Sequence, residues 1–283
     1  MKVPKRLAPL LEEGLIDEVL SQLMSGKEAT VYIVRCGQHI RCAKVYKDVK
    51  QRSFRQAASY MEGRKVQNSR QQRAMEKGSR YGREVQEKLW QTAEVDALFR
   101  LANAGVRVPT PYICTDGVLL MDLVQDADGN AAPRLNDVEM TEALALELHQ
   151  SLLNEVVRML CEGMVHGDLS EFNILLAADG PVIIDLPQAV NAAGNNEAPV
   201  MLERDVNNLA TYFGEFAPQL LGTQYGKEIW KLYEAGELKV GVPLTGKVAA
   251  DNRVVDMDAL MYELEETRLE QEEKLRRARE SDA

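Results

Sequence analysis

Apolar residues at three- and four-residue spacing open the chain: Leu10, Leu11, Leu15, Ile16, Val19, Leu20 and Leu23 predict an amphipathic helix over 9–23. Two short apolar runs, 30–35 and 40–46, are parted by Cys36-Gly37-Gln38-His39 and read as strands. Helical spacing returns over 81–103 through Leu89, Trp90, Ala93, Ala97, Leu98, Leu101 and Ala102. Gly105 supplies its stop, and Pro109 and Pro111 bar continuation. Residues 118–123 are strand-like, and Asn136 with Glu139 forms a capping pair for a long helix ending near Gly163. Runs at 174–176 and 182–184 flank Ala-Ala-Asp-Gly-Pro and predict a hairpin. Helices follow at about 199–214, 224–235 and 256–280, the last a solvated one rich in i,i+4 charge pairs.

This order, mainly β first and mainly α afterwards, predicts an α+β chain of two lobes joined near residue 125. The expected divisions are a helical extension over 1–23, a β-rich N-lobe over 24–124, a helical C-lobe over 125–255 and a charged helix over 256–283.

Charge alters that picture in one place. The 283 residues carry 34 Lys and Arg against 44 Asp and Glu, a net charge of −10. Residues 44–83 nevertheless hold twelve basic and three acidic side chains, which leaves 12 − 3 = +9 there and −10 − 9 = −19 elsewhere. The basic stretch is rich in Gln, Ser and Arg and poor in periodicity, so a loop over about 48–80 is expected to be mobile. It reads either as a solvated loop or as one that attracts phosphate. The acidic total argues against general DNA binding. No apolar run reaches membrane-spanning length, and the first residues turn acidic too early for a secretory signal, so a cytoplasmic location is expected. Cys36, Cys42, Cys114 and Cys161 lack zinc or CxxC spacing and are expected to be reduced core thiols.

The candidate chemistry lies in His166-Gly167-Asp168-Leu169-Ser170-Glu171-Phe172-Asn173 and in Asp185, which follows Val182-Ile183-Ile184. Phosphoryl transfer needs one carboxylate to accept or orient the attacking hydroxyl. It also needs an amide and a second carboxylate to hold Mg²⁺ on the phosphates. Taken singly, these residues are an ordinary turn and an ordinary strand end; their joint spacing points to phosphoryl transfer.

H-x-D-x-x-x-x-N followed by an apolar strand ending in Asp resembles the signature of protein kinase-like enzymes. The wording HGDLSEFNIL and IIDLPQAV resembles the RIO family of atypical serine/threonine kinases, as a bacterial or archaeal-like member. Ser25-Gly26-Lys27-Glu28-Ala29-Thr30-Val31-Tyr32 looks like that family's phosphate loop, and the likeness runs over about residues 20–235. It implies a two-lobed kinase-like fold without an activation loop or peptide-docking helices.

The resemblance also implies roles. Asp168 would be catalytic, and Asn173 with Asp185 would hold Mg²⁺, or Mn²⁺ in its place. Lys44 would contact the ATP phosphates, with Glu94 as its ion-pair partner. Ser25, Gly26 and Lys27 would meet phosphate, and Val31 and Leu175 would enclose the adenine. Met121, Asp122 and Val124 would form the segment joining the lobes, with main-chain groups at the adenine edge. Asp205 is a candidate for hydrogen bonding the catalytic loop.

Gly167 and Ser170 stand where regulated kinases carry arginine and lysine, so control by loop phosphorylation is not expected. Ser53, Ser59, Ser69 and Ser79 are candidate sites of autophosphorylation on the basic tether. One rival reading is an ATPase-type assembly factor that switches its binding to a particle; by resemblance, the ribosomal small subunit would be that partner. Another is a small-molecule kinase of the aminoglycoside or choline type, which Ser170-Glu171-Phe172 and Leu186-Pro187 fit poorly. The protein substrate is left open.

Overall fold

Strict alternation along three strands decides where the sheet packs. The computed structural model describes residues 3–26, 28–47 and 80–248. Strands β1 (Glu18–Ser25), β2 (Ala29–Cys36), β3 (His39–Tyr46), β4 (Pro111–Thr115) and β5 (Val118–Asp122) form an antiparallel sheet ordered β1-β2-β3-β5-β4. Register pairs Val31 with Lys44, Lys44 with Leu119 and Cys42 with Met121, so these residues share one face. The alternate residues Val34, Ala43, Val45, Val118 and Leu120 point the other way into a small core.

That second face is covered by the N-terminal segment, where Leu7, Leu10 and Ile16 are buried. Each contributes roughly 1.5–3 kcal/mol by leaving water. The helix expected over 9–23 is here corrected: α1 spans only Ala8–Glu12, and 18–25 is a strand. Gly14, at φ +69°, takes the left-handed conformation, while the Leu15 and Ile16 N–H groups return to Leu10 O and end the helix. Irregular register after Val19 and after Gln22 broke the two-residue alternation that would have marked β1 as a strand.

Helix α2 (Arg80–Asn103) brings Glu94, Ala97, Leu98 and Leu101 inward. In the helical half, α3 (Glu142–Cys161) and α4 (Ala198–Gly214) supply the large core through Leu148, Leu152, Leu153, Val156, Met201, Leu202, Leu209 and Phe213. The cap expected at Asn136 is not the observed one. Residues Leu135–Asp137 make a 3₁₀ turn, and α3 begins after Thr141, whose hydroxyl accepts from Leu144 N–H at 3.3 Å. Helix α5 (Tyr225–Glu234) packs on α4.

Two small ladders frame the loop between them. Strand β6 (Met164–Val165) pairs with β9 (Val190–Asn191), and β7 (Ile174–Ala177) pairs with β8 (Gly180–Ile183) as the expected hairpin. From Asp185 the chain reaches α4 through residues 186–197 alone, so the long activation loop of regulated kinases has no counterpart among the described residues.

All four cysteines are free, but only Cys42 is buried; Cys36 is half-buried and Cys114 and Cys161 are exposed, which corrects the expectation of core thiols. No helix among the described residues is long and apolar enough to cross a membrane. The described residues through Lys247 form one compact unit. The basic loop with its four serines, Lys27 and the helix expected at 256–280 lie outside the described residues.

Candidate active site

Lys44 leaves β3 on the face that carries Val31, Cys42, Leu119 and Met121, and these residues line a cavity of about 740 Å³. The lysine side chain is 13% exposed, so its ammonium needs partners. It has two: Glu94 Oε1, in direct hydrogen-bond contact, and Asp185 Oδ1 at 3.3 Å. The other Glu94 oxygen, Oε2, accepts from the Tyr46 hydroxyl at 2.8 Å. Burial acts against the Lys44 charge, but the two carboxylates outweigh it and hold the ammonium above the usual lysine range. Burial, reinforced by Glu94, pushes the Tyr46 hydroxyl upward and keeps it a donor.

The β1–β2 turn closes through Gly26 N–H to Ala29 O at 2.9 Å. Lys47 straps it from behind, donating to Gly26 O at 2.6 Å and to Ser25 Oγ at 3.0 Å. Gly26 lines the cavity. Ser25 does not; its hydroxyl is held between Lys47 and Thr30. Where the lobes join, Val124 O accepts from Ala132 N–H, and Asp122 N–H donates to Thr110 O, both at 2.9 Å. The Asp122 carboxylate takes the Tyr112 hydroxyl, and the Arg41 guanidinium lies 3.6 Å from the Tyr112 ring centroid.

The loop from His166 to Asn173 is held by α4. Asp205, 1% exposed, accepts from the N–H groups of Gly167 at 2.7 Å and Leu169 at 3.1 Å. Asn208 donates to Leu169 O at 3.0 Å, and Arg204 donates to Gly167 O. Burial pushes the Asp205 carboxyl up to about 7, against the pull of those two N–H groups and Arg204. His166 is buried. Its Nδ1 accepts from Asp168 N–H at 3.2 Å, so Nε2 carries the proton and donates to Ile184 O at 3.1 Å.

Asp168 faces solvent, with Oδ2 accepting from Gln188 Nε2 at 3.1 Å. Partial burial raises its carboxyl, with Arg204 opposing and Asp185 adding to the rise. Asn173 donates its amide nitrogen to Asp168 O at 2.8 Å, so the amide oxygen is what it can offer a cation. Asp185, in the left-handed region at φ +67°, is 48% exposed and shares the cavity wall with Asn173. Amide and carboxylate oxygens are a hard donor pair that suits Mg²⁺. No group of three His, Cys, Asp or Glu that could hold a metal occurs among the described residues, so phosphate oxygens would have to complete the shell.

The structure thus gathers Gly26, Val31, Lys44, Glu94, Met121, Asp122, Val124, Asn173, Leu175 and Asp185 on one cavity, and leaves Ser25 and Asp168 off its wall. Sequence reading missed Tyr46, Lys47, Gln188, Arg204 and Asn208. Of these, Asn208 carried a signal, lying about one helical turn beyond Asp205 on α4.

A RIO domain family model matches residues 30–227. The RIO-type serine/threonine-protein kinase Rio1 of Haloferax volcanii is 34% identical over 206 residues, covering 72% of this chain and 66% of that protein. The serine/threonine-protein kinase rio1 of Schizosaccharomyces pombe is 32% identical over 216 residues, covering 73% of this chain but only 40% of its own length. The chain therefore spans less than half of the fission yeast relative. Among solved structures, the Rio2 kinase–ADP/Mg²⁺–phosphoaspartate complex from Chaetomium thermophilum matches with a TM-score of 0.56 at 22% identity, over 79% of this chain and 65% of that one. That likeness is one of fold, a β-sheet lobe followed by a helical one. Because the family match takes in the Lys44 strand, the Asp168–Asn173 loop and Asp185 together, the chain belongs to the RIO family.

Proposed function

We propose that this chain transfers the γ-phosphoryl group of ATP to serine or threonine hydroxyls of protein. The observation that carries the reading is the meeting of Lys44, Asn173 and Asp185 on one cavity wall, with Asp168 tied to Asn173. Lys44 holds the α- and β-phosphates while Glu94 holds Lys44. Gly26 allows close backbone approach, and Val31 and Leu175 enclose the base. With the Val124 carbonyl committed to Ala132, the Val124 N–H is the group that reads the adenine edge. Mg²⁺, or Mn²⁺, held by the Asn173 amide oxygen and Asp185, would neutralise charge on the phosphates. Asp168 receives the acceptor hydroxyl through Oδ1, since Gln188 occupies Oδ2. The free cysteines support work in a reducing compartment, the cytoplasm.

The test is transfer of labelled γ-phosphate in the presence of Mg²⁺. Asp168→Asn is expected to lower turnover by about 10²–10⁴-fold, the usual range for a lost general base. Its ATP affinity should stay within about twofold, because Asp168 is not on the cavity wall. Parent-like turnover in that variant would end this reading.

A second reading is slow ATP hydrolysis through an acyl phosphate, used to switch binding to a ribosomal particle. It draws on the phosphoaspartate named for the Rio2 complex and on the exposed carboxylate of Asp185. Label that is stable to acid and released by hydroxylamine supports it, and acceleration by ribosomal subunits supports the partner. Label confined to serine and threonine leaves the kinase reading alone.

A further inference from the structure

We infer that Tyr46, seated from behind by Arg6, is a positioning residue that sets Glu94 on Lys44. The inference rests on the nucleotide role proposed for Lys44.

Glu94 has two carboxylate oxygens and one task at the site. Oε1 meets the Lys44 ammonium, and Oε2 meets the Tyr46 hydroxyl at 2.8 Å. A carboxylate on a long side chain rotates freely unless both ends are held. The Tyr46 hydroxyl holds the end away from the cavity and so presents the other to Lys44. All three side chains are withdrawn from water, with Tyr46 2% and Glu94 5% exposed, so a misplaced oxygen would find no solvent to replace the lost bond. The Lys44 ammonium also lies 5.6 Å from the Tyr46 ring centroid, close enough for a cation–π attraction.

Tyr46 is itself tied down at its backbone. Its N–H donates to Gly117 O at 3.0 Å, and its carbonyl accepts from Arg6 at 2.7 Å. Arg6 reaches that carbonyl because Gly117 lacks a side chain: a Cβ there would stand 2.8 Å from the guanidinium. The neighbours Leu7 and Leu10 are fully buried under the sheet and anchor the segment that carries Arg6. A continuous path thus runs from the N-terminal segment through Arg6, Tyr46 and Glu94 to Lys44. Arg6 precedes the residues matched by the family model. With no activation loop among the described residues to draw Glu94 toward Lys44, this path keeps the pair made.

Tyr46→Phe removes the hydroxyl and keeps the ring. Binding of a non-hydrolysable ATP analogue with Mg²⁺ should weaken about tenfold, as expected for a lost hydrogen bond to a charged group. The melting temperature should fall by only several degrees, the cost of one buried hydrogen bond with the ring packing retained. In a Glu94→Gln background the same change should add less than about twofold, because the two act through one contact. Arg6→Ala should weaken binding by about threefold, with Arg6→Lys restoring most of it. Parent-like affinity in Tyr46→Phe overturns the inference, as does a full effect that persists in Glu94→Gln. The two readings separate in the controls. If Lys44→Ala and Glu94→Gln leave affinity unchanged, the nucleotide role of the cavity falls and the inference falls with it. If both weaken binding and Tyr46→Phe does not, the inference alone falls.

Discussion

Side-chain exposure is 13% at Lys44 and 7% at Glu94, whereas Asp185 is 48% exposed and Asp168 faces solvent. The lysine side of the cavity is therefore fixed from within. Two charges are buried together; Tyr46 on the same sheet completes Glu94, and Asp185 reaches Lys44 from the loop side. The catalytic-loop side is fixed from outside the cavity. Its carboxylates stay wet and available, while Asp205, Arg204 and Asn208 grip the loop backbone from α4. In the proposed reading, a carboxylate that receives a hydroxyl or a cation keeps its charge at little cost when hydrated, so rigidity there has to come from the main chain. In the same reading, a lysine that meets only phosphate can be buried and held in advance.

The sharpest way to break this contrast is at Asp205. Asp205→Ala strands two buried N–H groups, and each stranded donor costs roughly 1–3 kcal/mol. A loss of about 3 kcal/mol in urea unfolding is expected, with turnover falling far more than nucleotide affinity. Equal losses of both would mean that α4 supports the whole cavity and not the loop side alone.

A pH titration separates the helical body from the sheet. His149 on α3 is 2% exposed, packs against Phe213 and Tyr225 with ring centroids at 5.8 and 5.6 Å, and has no partner for Nε2 among the described residues. Burial pushes its imidazole down to about 4 from the ordinary 6.5. The unfolded chain therefore takes up the proton first as pH falls. The His149 contribution is full above pH 6.5 and is lost between there and about 4, amounting to about 3 kcal/mol. Stability curves of the parent and His149→Phe should keep a constant offset above pH 7, and the parent's should fall more steeply over that window. Parallel curves would show that the helical core does not set the acid limit.

The smallest effect is expected at Arg107 and Asp179, a pair at 2.6 Å whose side chains are 28% and 75% exposed. Asp179→Asn should cost less than about 1 kcal/mol and lose even that in high salt. A larger loss would show that solvent-exposed pairs are stronger here than the buried–exposed contrast allows.

The sequence is most legible where its signals are local. The stretch His166–Asn173, the hairpin after it and Asp185 were legible because their spacing and flanking apolar strands lie within some twenty residues. The periodicities of α4, α5 and the 81–103 segment were equally plain. Helix 9–23 was overread because its leucines fit a helical face, while Gly14 and the irregular register of β1 carried the opposite information. The β4 strand was missed because its prolines read only as a helix stop. The motif around Ser25 points to phosphate, and no local pattern records that Lys47 and Thr30 engage its hydroxyl.

By itself the sequence determined that a β-rich half precedes a helical one, the loop that carries Asp168 and Asn173, and the placing of Asp185 just after a strand. Each depends on residues within one or two elements, where backbone geometry and apolar spacing act directly. Only the tertiary structure decided that Lys44 meets Asp185 across 141 residues, that Tyr46 and not another donor completes Glu94, and that Asp205 holds the loop 36 and 38 residues before it. It also decided that the N-terminal leucines cover a sheet face. Such contacts arise when burial brings distant polar groups together and each must then find a partner, and no local pattern records which partner that is.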